Sequence, residues 1–377
     1  MKTLQTPLSR LALCLSLSAA AALAACGSDE TAQQDTIPLE QLNKTAALTP
    51  LSHDPSVTKT AQVGGRAAYR AQINHFPVRR CMNLGNALEA DYEGEWGYTI
   101  RERDFNTIAR AGFDTVRIPV RWDLKIEASP PYRIDQAHMQ RVIEVVRQAQ
   151  NAGLGVVLDV HHYRDLMANA RGQNAERFLA IWEQISIAFA GAPQTVYFEL
   201  LNEPTDASMV DLNALYARAL KIIRKNNPTR AVIMGGNSWN SADTLHQVNF
   251  PRDPYLVATY HDYGPHEFTH QGASWEDNPP PKGRRWGSRA DHEQLKSVFT
   301  QMRAFKARTG LPVFVGEFGV IDEVPDRQRA EWIRHRRRAM EQAGFSWCVW
   351  DFAGAFKSYD LSNERWIGGI KDALTQP

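Results

Sequence analysis

The sequence predicts an α/β fold, a closed (β/α)8 TIM barrel built as a single domain over residues 69–377. Three observations carry this expectation. Eight short apolar runs rich in Val, Ile, Leu and Phe recur along the chain, the pattern of strands covered on both faces. Amphipathic stretches at helical spacing separate them. No Gly-x-Gly-x-x-Gly fingerprint of an open dinucleotide-binding sheet is present.

Ahead of the barrel, the chain opens Met1-Lys2, carries Arg10, and runs apolar from Leu11 to Ala25 before Cys26. A basic start, a short apolar stretch and small residues at its end describe a secretory signal over residues 1–25. The run falls short of the roughly 20 apolar residues that a spanning helix needs. Leu23-Ala24-Ala25-Cys26 resembles the bacterial lipoprotein signal, which implies that Cys26 becomes the lipidated first residue. Gly27 and Ser28, with no Asp directly after the Cys, imply sorting to the outer membrane. Residues 26–68 are polar and lack a sustained apolar period, so they read as a flexible tether. The expected setting is the bacterial cell envelope, with the membrane reached only through that lipid; ordinary secretion, with Cys26 a bystander, is the alternative.

The eight strand segments are Cys81-Gly85, Thr115-Val120, Gly155-Val160, Val196-Leu201, Ala231-Gly235, Leu256-Tyr260, Val313-Gly316 and Ser346-Asp351. A helix is expected after each. Ile134–Ala152 sets Met139, Val142, Ile143 and Val146 at helical spacing and closes at Gly153. Leu212–Lys225 and Asp291–Arg308 behave alike, and Arg327–Ala343 stops at Gly344. The run Arg334-His335-Arg336-Arg337-Arg338 is expected on a solvated face of that last helix. Lys plus Arg number 43 against 42 Asp plus Glu, and no basic stripe stands out, which excludes nucleic acid as the expected partner. A monomer is expected.

Cys14 falls in the signal and Cys26 in the anchor, leaving Cys81 and Cys348 in the barrel. Closure makes their strands neighbours, but adjacent parallel strands rarely offer disulfide geometry, so two buried thiols are expected.

Barrel active sites sit at the C-terminal ends of the strands, and polar residues collect there. The segments end or continue in Asn83-Leu84-Gly85-Asn86, Arg117, Asp159-Val160-His161-His162-Tyr163, Asn202-Glu203-Pro204, His261-Asp262-Tyr263, Glu317 and Trp350-Asp351. Singly, each has a bland explanation: an ion pair, a hydrogen-bonded core histidine, a turn. Together at one end of one barrel they are too costly to bury for stability alone.

Asn202-Glu203-Pro204 on the fourth strand and Glu317 on the seventh resemble the clan of retaining barrel glycosidases. Asn83 to Asn86, Arg117, His161, His261, Tyr263 and Trp350 are similar to the pattern of glycoside hydrolase family 5, the cellulase family, over about Cys81 to Phe352. The resemblance implies cleavage of a β-linked polysaccharide with retention and without a cofactor or metal, with an endo-β-1,4-glucanase as the best expectation. Mannan, β-1,3-glucan and exo action are alternatives within the same mechanism. It implies Glu203 as acid/base, protonated near neutral pH, and Glu317 as nucleophile, kept ionised by Arg117, His261 and Tyr263. Asn202 would bind the sugar 2-hydroxyl, Asn86 would help line the site, and His161, with His162 beside it, would orient it. Trp350 would form the platform under the reacting sugar, and Trp96, Trp239 and Trp275 would line subsites. Trp182 and Trp332, inside helices, are expected in the core.

Two other classes stay open. His266-Glu267-Phe268-Thr269-His270 fits H-E-x-x-H, with Glu293 at a workable distance for a third zinc ligand. Gly264-Pro265 before it and Gly272 after it leave too little helix for a zinc hydrolase. A non-catalytic glycan-binding lipoprotein is the other, although such proteins usually lose one of the two carboxylates. Pro279-Pro280-Pro281 with Arg284, Arg285 and Trp286 is expected to form a long loop near the cleft.

Overall fold

The computed structural model describes residues 76–376; the signal, Cys26 and the whole tether lie outside the described residues. Eight parallel strands close in sequence order: β1 (Arg80–Asn83), β2 (Thr115–Ile118), β3 (Gly155–Asp159), β4 (Val196–Glu199), β5 (Val232–Gly235), β6 (Leu256–His261), β7 (Val313–Phe318) and β8 (Ser346–Val349). The connecting helices are α1 (Glu102–Arg110), α2 (Gln136–Asn151), α3 (Arg164–Ala168), α4 (Gly172–Ala188), α5 (Met209–Asn226), α6 (His266–Thr269), α7 (Arg289–Thr309), α8 (Asp326–Gln342) and α9 (Ile370–Thr375). Local chemistry fixes their ends. Asp135 and Ser208 cap α2 and α5 through their side chains, Ser288 and Asp291 form a capping box on α7, and Gly310 ends α7 at φ 72°.

The expectation of a helix after every strand fails at β5. There the chain makes a tight Asn237–Asn240 turn and a 3-10 turn over Leu245–Gln247 instead. The physical reason lies in the turn itself: Ser238, Trp239 and Asn240 all take positive φ, which no helix continues.

Strand alternation builds the barrel interior in layers. Cys81, Val157, Tyr197, Ile233, Val257, Phe314 and Cys348 form an apolar layer, closed below by Phe76 and Val78. Two residues further along the strands the inward positions become Asn83, Arg117, Asp159, Glu199, Gly235, Thr259 and Gly316. A period of 2 thus carries the interior from hydrocarbon to polar chemistry within one step. Glycine is required at two of these positions. A Cβ on Gly235 would lie 2.8 Å from Asn240 Oδ1, and one on Gly316 would lie 2.9 Å from His261 Nε2.

Cys81 and Cys348 correct the thiol expectation. β1 and β8 pair with these two residues in register, Cα to Cα 4.1 Å apart, and the sulfurs are bonded as a disulfide. Both side chains face the interior at one level, so strand closure itself brings them together. The basic run is corrected as well. Arg336 and Arg337 are buried on the inner side of α8: Arg336 pairs with Asp262, while Arg337 donates to the carbonyls of Ala373 and Gln376. Only part of that run meets solvent, because buried carboxylate and carbonyl partners draw two guanidinium groups inward. Trp182 and Trp332 are core residues, as expected.

Candidate active site

Arg117 is the hub. Its guanidinium is fully buried and donates through Nε and Nη2 to Glu199 at 2.7 and 3.0 Å. Nη1 reaches Asn83 Oδ1 at 3.0 Å and Glu317 Oε1 at 2.8 Å, and Nη2 reaches Asn202 Oδ1 at 2.8 Å. Asp159 is a third carboxylate, 2.8 Å from Nη2. Burial works against this cation, but Glu199, Asp159 and Glu317 more than offset it and hold the pKa above its ordinary value.

From Asp159 a second chain runs to Asn202. His161 Nδ1 lies 2.7 Å from Asp159 Oδ2, and its Nε2 lies 3.2 Å from Asn202 Nδ2. Burial, then Arg117, pushes the His161 pKa well down, so the ring is neutral. A neutral ring donating from Nδ1 must accept at Nε2, so Asn202 donates one amide proton to it. The side chain of Asn202 is thereby fixed at both ends.

Glu203 and Glu317 face each other across this frame. Glu203 leaves β4 with φ 39°, and 23% of its side chain reaches solvent. Glu317 follows Gly316, and regular alternation would aim it toward the helices. The β6–β7 register slips after Tyr260 and the β7–β8 register after Val315, and Glu317 turns inward. Its Oε2 accepts from Tyr263 at 2.8 Å. His261 Nδ1 stands 2.7 Å from Glu203 Oε1 and 3.6 Å from Glu317 Oε2, and ligating atoms of the three residues lie within 4.8 Å of one another.

His261 stands beside both carboxylates: it is near Glu317, as expected, and hydrogen-bonds Glu203. One expectation is corrected here. Glu317 is not held low: burial lifts Glu203 and Glu317 alike to about 7, and for Glu317 the nearby His261 and Arg117 offset this only in part. Two buried carboxyls this close retain a proton between them. The donors Arg117 and Tyr263 favour the negative charge on Glu317.

Trp350 stacks parallel to His161, with ring centroids 5.9 Å apart. Gly85 makes the room, since a Cβ there would lie 2.7 Å from the indole. Asn86 takes φ 66°, and its backbone N–H and that of Ala87 donate to Glu89. His162 packs edge-on to His161 and to Trp96, at 4.5 and 6.1 Å between centroids. Trp96, Trp239 and Trp275 are the exposed tryptophans among the described residues. Trp239 N donates to Pro204 O at 3.2 Å, which sets it beside Glu203, and Trp275 packs against Phe356 and His270 near Tyr263.

Sequence reasoning missed three contributors. Glu199 is a charged residue inside an apolar strand run, a signal that could have found it. Asn240, which lies 3.5 Å from His261 Nε2, and Glu89, fully buried, gave none. The H-E-x-x-H stretch falls largely in the four-residue helix α6, and Glu293 is paired with Arg289 instead of approaching it. The Pro279–Arg289 loop folds back against the barrel wall. Gln271 binds the backbone of Gly283 and Arg284, and Trp286 is buried between His292 and His335.

Comparison with known proteins points to one family. Endoglucanase H of Acetivibrio thermocellus is 40% identical over 282 residues, 74% of this chain and 30% of that protein. The chain thus spans under a third of the length of that relative. Cellodextrinase A of Ruminococcus flavefaciens is 29% identical over 70% of this chain and 82% of its own. The crystal structure of endoglucanase Cel5A from Thermotoga maritima superposes with a TM-score of 0.77 at 36% identity, covering 81% of this chain and 99% of its own. The family model described as cellulase (glycosyl hydrolase family 5) matches residues 80–355, from the start of β1 to beyond Trp350. The chain belongs to glycosyl hydrolase family 5, the cellulase family.

Proposed function

We propose that this protein is a retaining endo-β-1,4-glucanase that works by double displacement, with Glu317 as nucleophile and Glu203 as acid/base. The observation that carries the reading is the approach of the two carboxyl groups, with oxygens within 4.8 Å. Retaining enzymes hold the pair at about 5–5.5 Å, whereas inverting ones leave about 6.5–9.5 Å for a water. Glu317, ionised by its two donors, attacks the anomeric carbon while Glu203 protonates the leaving oxygen. The glycosyl–Glu317 ester is then opened by a water that Glu203, now a base, deprotonates. Asn240 donates to His261 Nε2, which leaves the His261 proton on Nδ1 for Glu203 Oε1 and keeps the acidic proton on Oε2. Asn202, held by Arg117 and His161, has one amide proton left for the sugar 2-hydroxyl. Trp350 supplies the platform, and Asn86, Trp96, Trp239 and Trp275 the neighbouring contacts, with His162 supporting Trp96.

The glucan assignment is supported by the relatives, which are endoglucanases and a cellodextrinase. Cel5A was also solved with mannotriose, so mannan is the competing substrate. Oligosaccharides of defined linkage, with products resolved by NMR, test both points. Release of β-anomers from internal β-1,4-glucosidic bonds is expected. α-Anomers would overturn the mechanism, and a preference for mannan or β-1,3-glucan would overturn the substrate. The N-terminal reading completes the proposal: residues 26–68 tether residues 69–377, as a monomer, to the outer membrane through lipid on Cys26. Metabolic labelling with a fatty acid, lost in Cys26→Ala, is the expected outcome.

A further inference from the structure

In the segment that follows the C-terminal end of β6, beside the catalytic centre, ligating atoms converge a second time. His266, His270 and Glu276 each offer one atom, and the three lie within 4.8 Å of one another. His266 Nε2 is 3.1 Å from Glu276 Oε1, and the two imidazoles stack 4.4 Å apart. Nitrogen and oxygen ligands bound at about 2.0–2.2 Å around a tetrahedral ion stand roughly 3.3–3.5 Å from one another. Small side-chain adjustments therefore bring the set to ligating distance.

Hydrogen bonding prepares His270 for this. Thr269 Oγ1 donates to the Tyr263 carbonyl at 2.6 Å, so it must accept from His270 Nδ1, 3.0 Å away. The His270 lone pair is then on Nε2. A histidine whose second nitrogen donates to an oxygen is the usual arrangement of a metal-ligating imidazole. Glu267, the general base of the H-E-x-x-H pattern, is absent from the group, and Glu276 stands in a different role as a third ligand.

We propose that His266, His270 and Glu276 bind one divalent transition-metal ion of the zinc class, with no part in hydrolysis, and that the ion fastens the loop carrying Trp275. The protein supplies three ligands, and the exposed side of His266 leaves a position for water. His270 packs edge-on to Tyr263 and Phe356, 4.9 and 5.2 Å between centroids, so the ion stiffens the wall beside the nucleophile.

The test is calorimetric titration of the chelator-stripped full chain with zinc chloride, with cobalt(II) absorption as a second readout. One ion per chain is expected at this site, with affinity falling in His266→Ala and in Glu276→Gln by more than the roughly 10–100-fold that loss of a group hydrogen-bonded to a ligand costs. Glu267→Gln and Glu293→Gln should bind as wild type. Zinc should raise the melting temperature of wild type and not of His266→Ala. His266 and Glu276 are partly exposed, and circular dichroism checks that both variants fold. Absence of stoichiometric binding, or undiminished binding in both ligand variants, overturns the site.

Discussion

Replacing Tyr263 by Phe removes one oxygen and leaves the ring in place against Phe356 and His270. The deleted hydroxyl donates to Glu317 Oε2 at 2.8 Å. Burial, with Glu317 and Glu203 nearby, pushes the Tyr263 pKa well above its ordinary value, so it stays a donor at any working pH. A hydrogen bond to a charged group contributes about 1.5–3 kcal/mol, and one pKa unit is about 1.4 kcal/mol. Loss of the donor should therefore raise the Glu317 pKa by roughly 1–2 units. The sign is fixed: the hydroxyl stabilises only the carboxylate, so its removal moves the acidic limb of the kcat/KM profile to higher pH. Below that limb kcat/KM should fall on the order of 10–100-fold. The assay is kcat/KM against pH on a chromogenic cello-oligosaccharide. An unmoved limb in a folded variant would refute the assignment of Glu317 as the group that must be ionised.

Glu203→Gln should lose roughly 10²–10⁴-fold on cello-oligosaccharides and far less on aryl glycosides with activated leaving groups, which need little protonation. Equal losses on both substrates would sink the acid assignment; Glu317→Gln should be inactive on both while still binding sugar in calorimetry. Burial lifts Glu89 to about 7, so the native state keeps a proton there that the unfolded chain has lost. Its stability is complete below about 4.5 and lost as pH rises through about 7, by about 3 kcal/mol. Glu89→Gln should therefore gain on wild type in thermal melts between pH 5 and pH 8, and a pH-independent difference would contradict this. Replacing both Cys81 and Cys348 by Ser should cost about 2–5 kcal/mol in denaturant unfolding. Activity should stay within a few-fold, because the disulfide lies one layer below the site.

The sequence alone determined the barrel and pointed to the candidate pair Glu203 and Glu317. Continuous apolar runs report strands buried on both faces, and they do so locally, so all eight appeared in the right order with ends shifted by one or two residues. Glu203, Glu317, Arg117, His161 and Tyr263 were legible because each lies in, ends or follows such a run in a recognisable motif. Tertiary structure decided what depends on register and closure. The pairing of Cys81 with Cys348 requires β1 and β8 to meet at one level. The inward turn of Glu317 requires a register slip shared with neighbouring strands. His261 bonds Glu203 because of where β6 ends relative to β4, and Arg336 is buried because Asp262 waits opposite it. The coupling of Glu203 and Glu317 near pH 7 likewise arises from burial and mutual distance, quantities that exist only once residues 114 positions apart share one low-dielectric cleft.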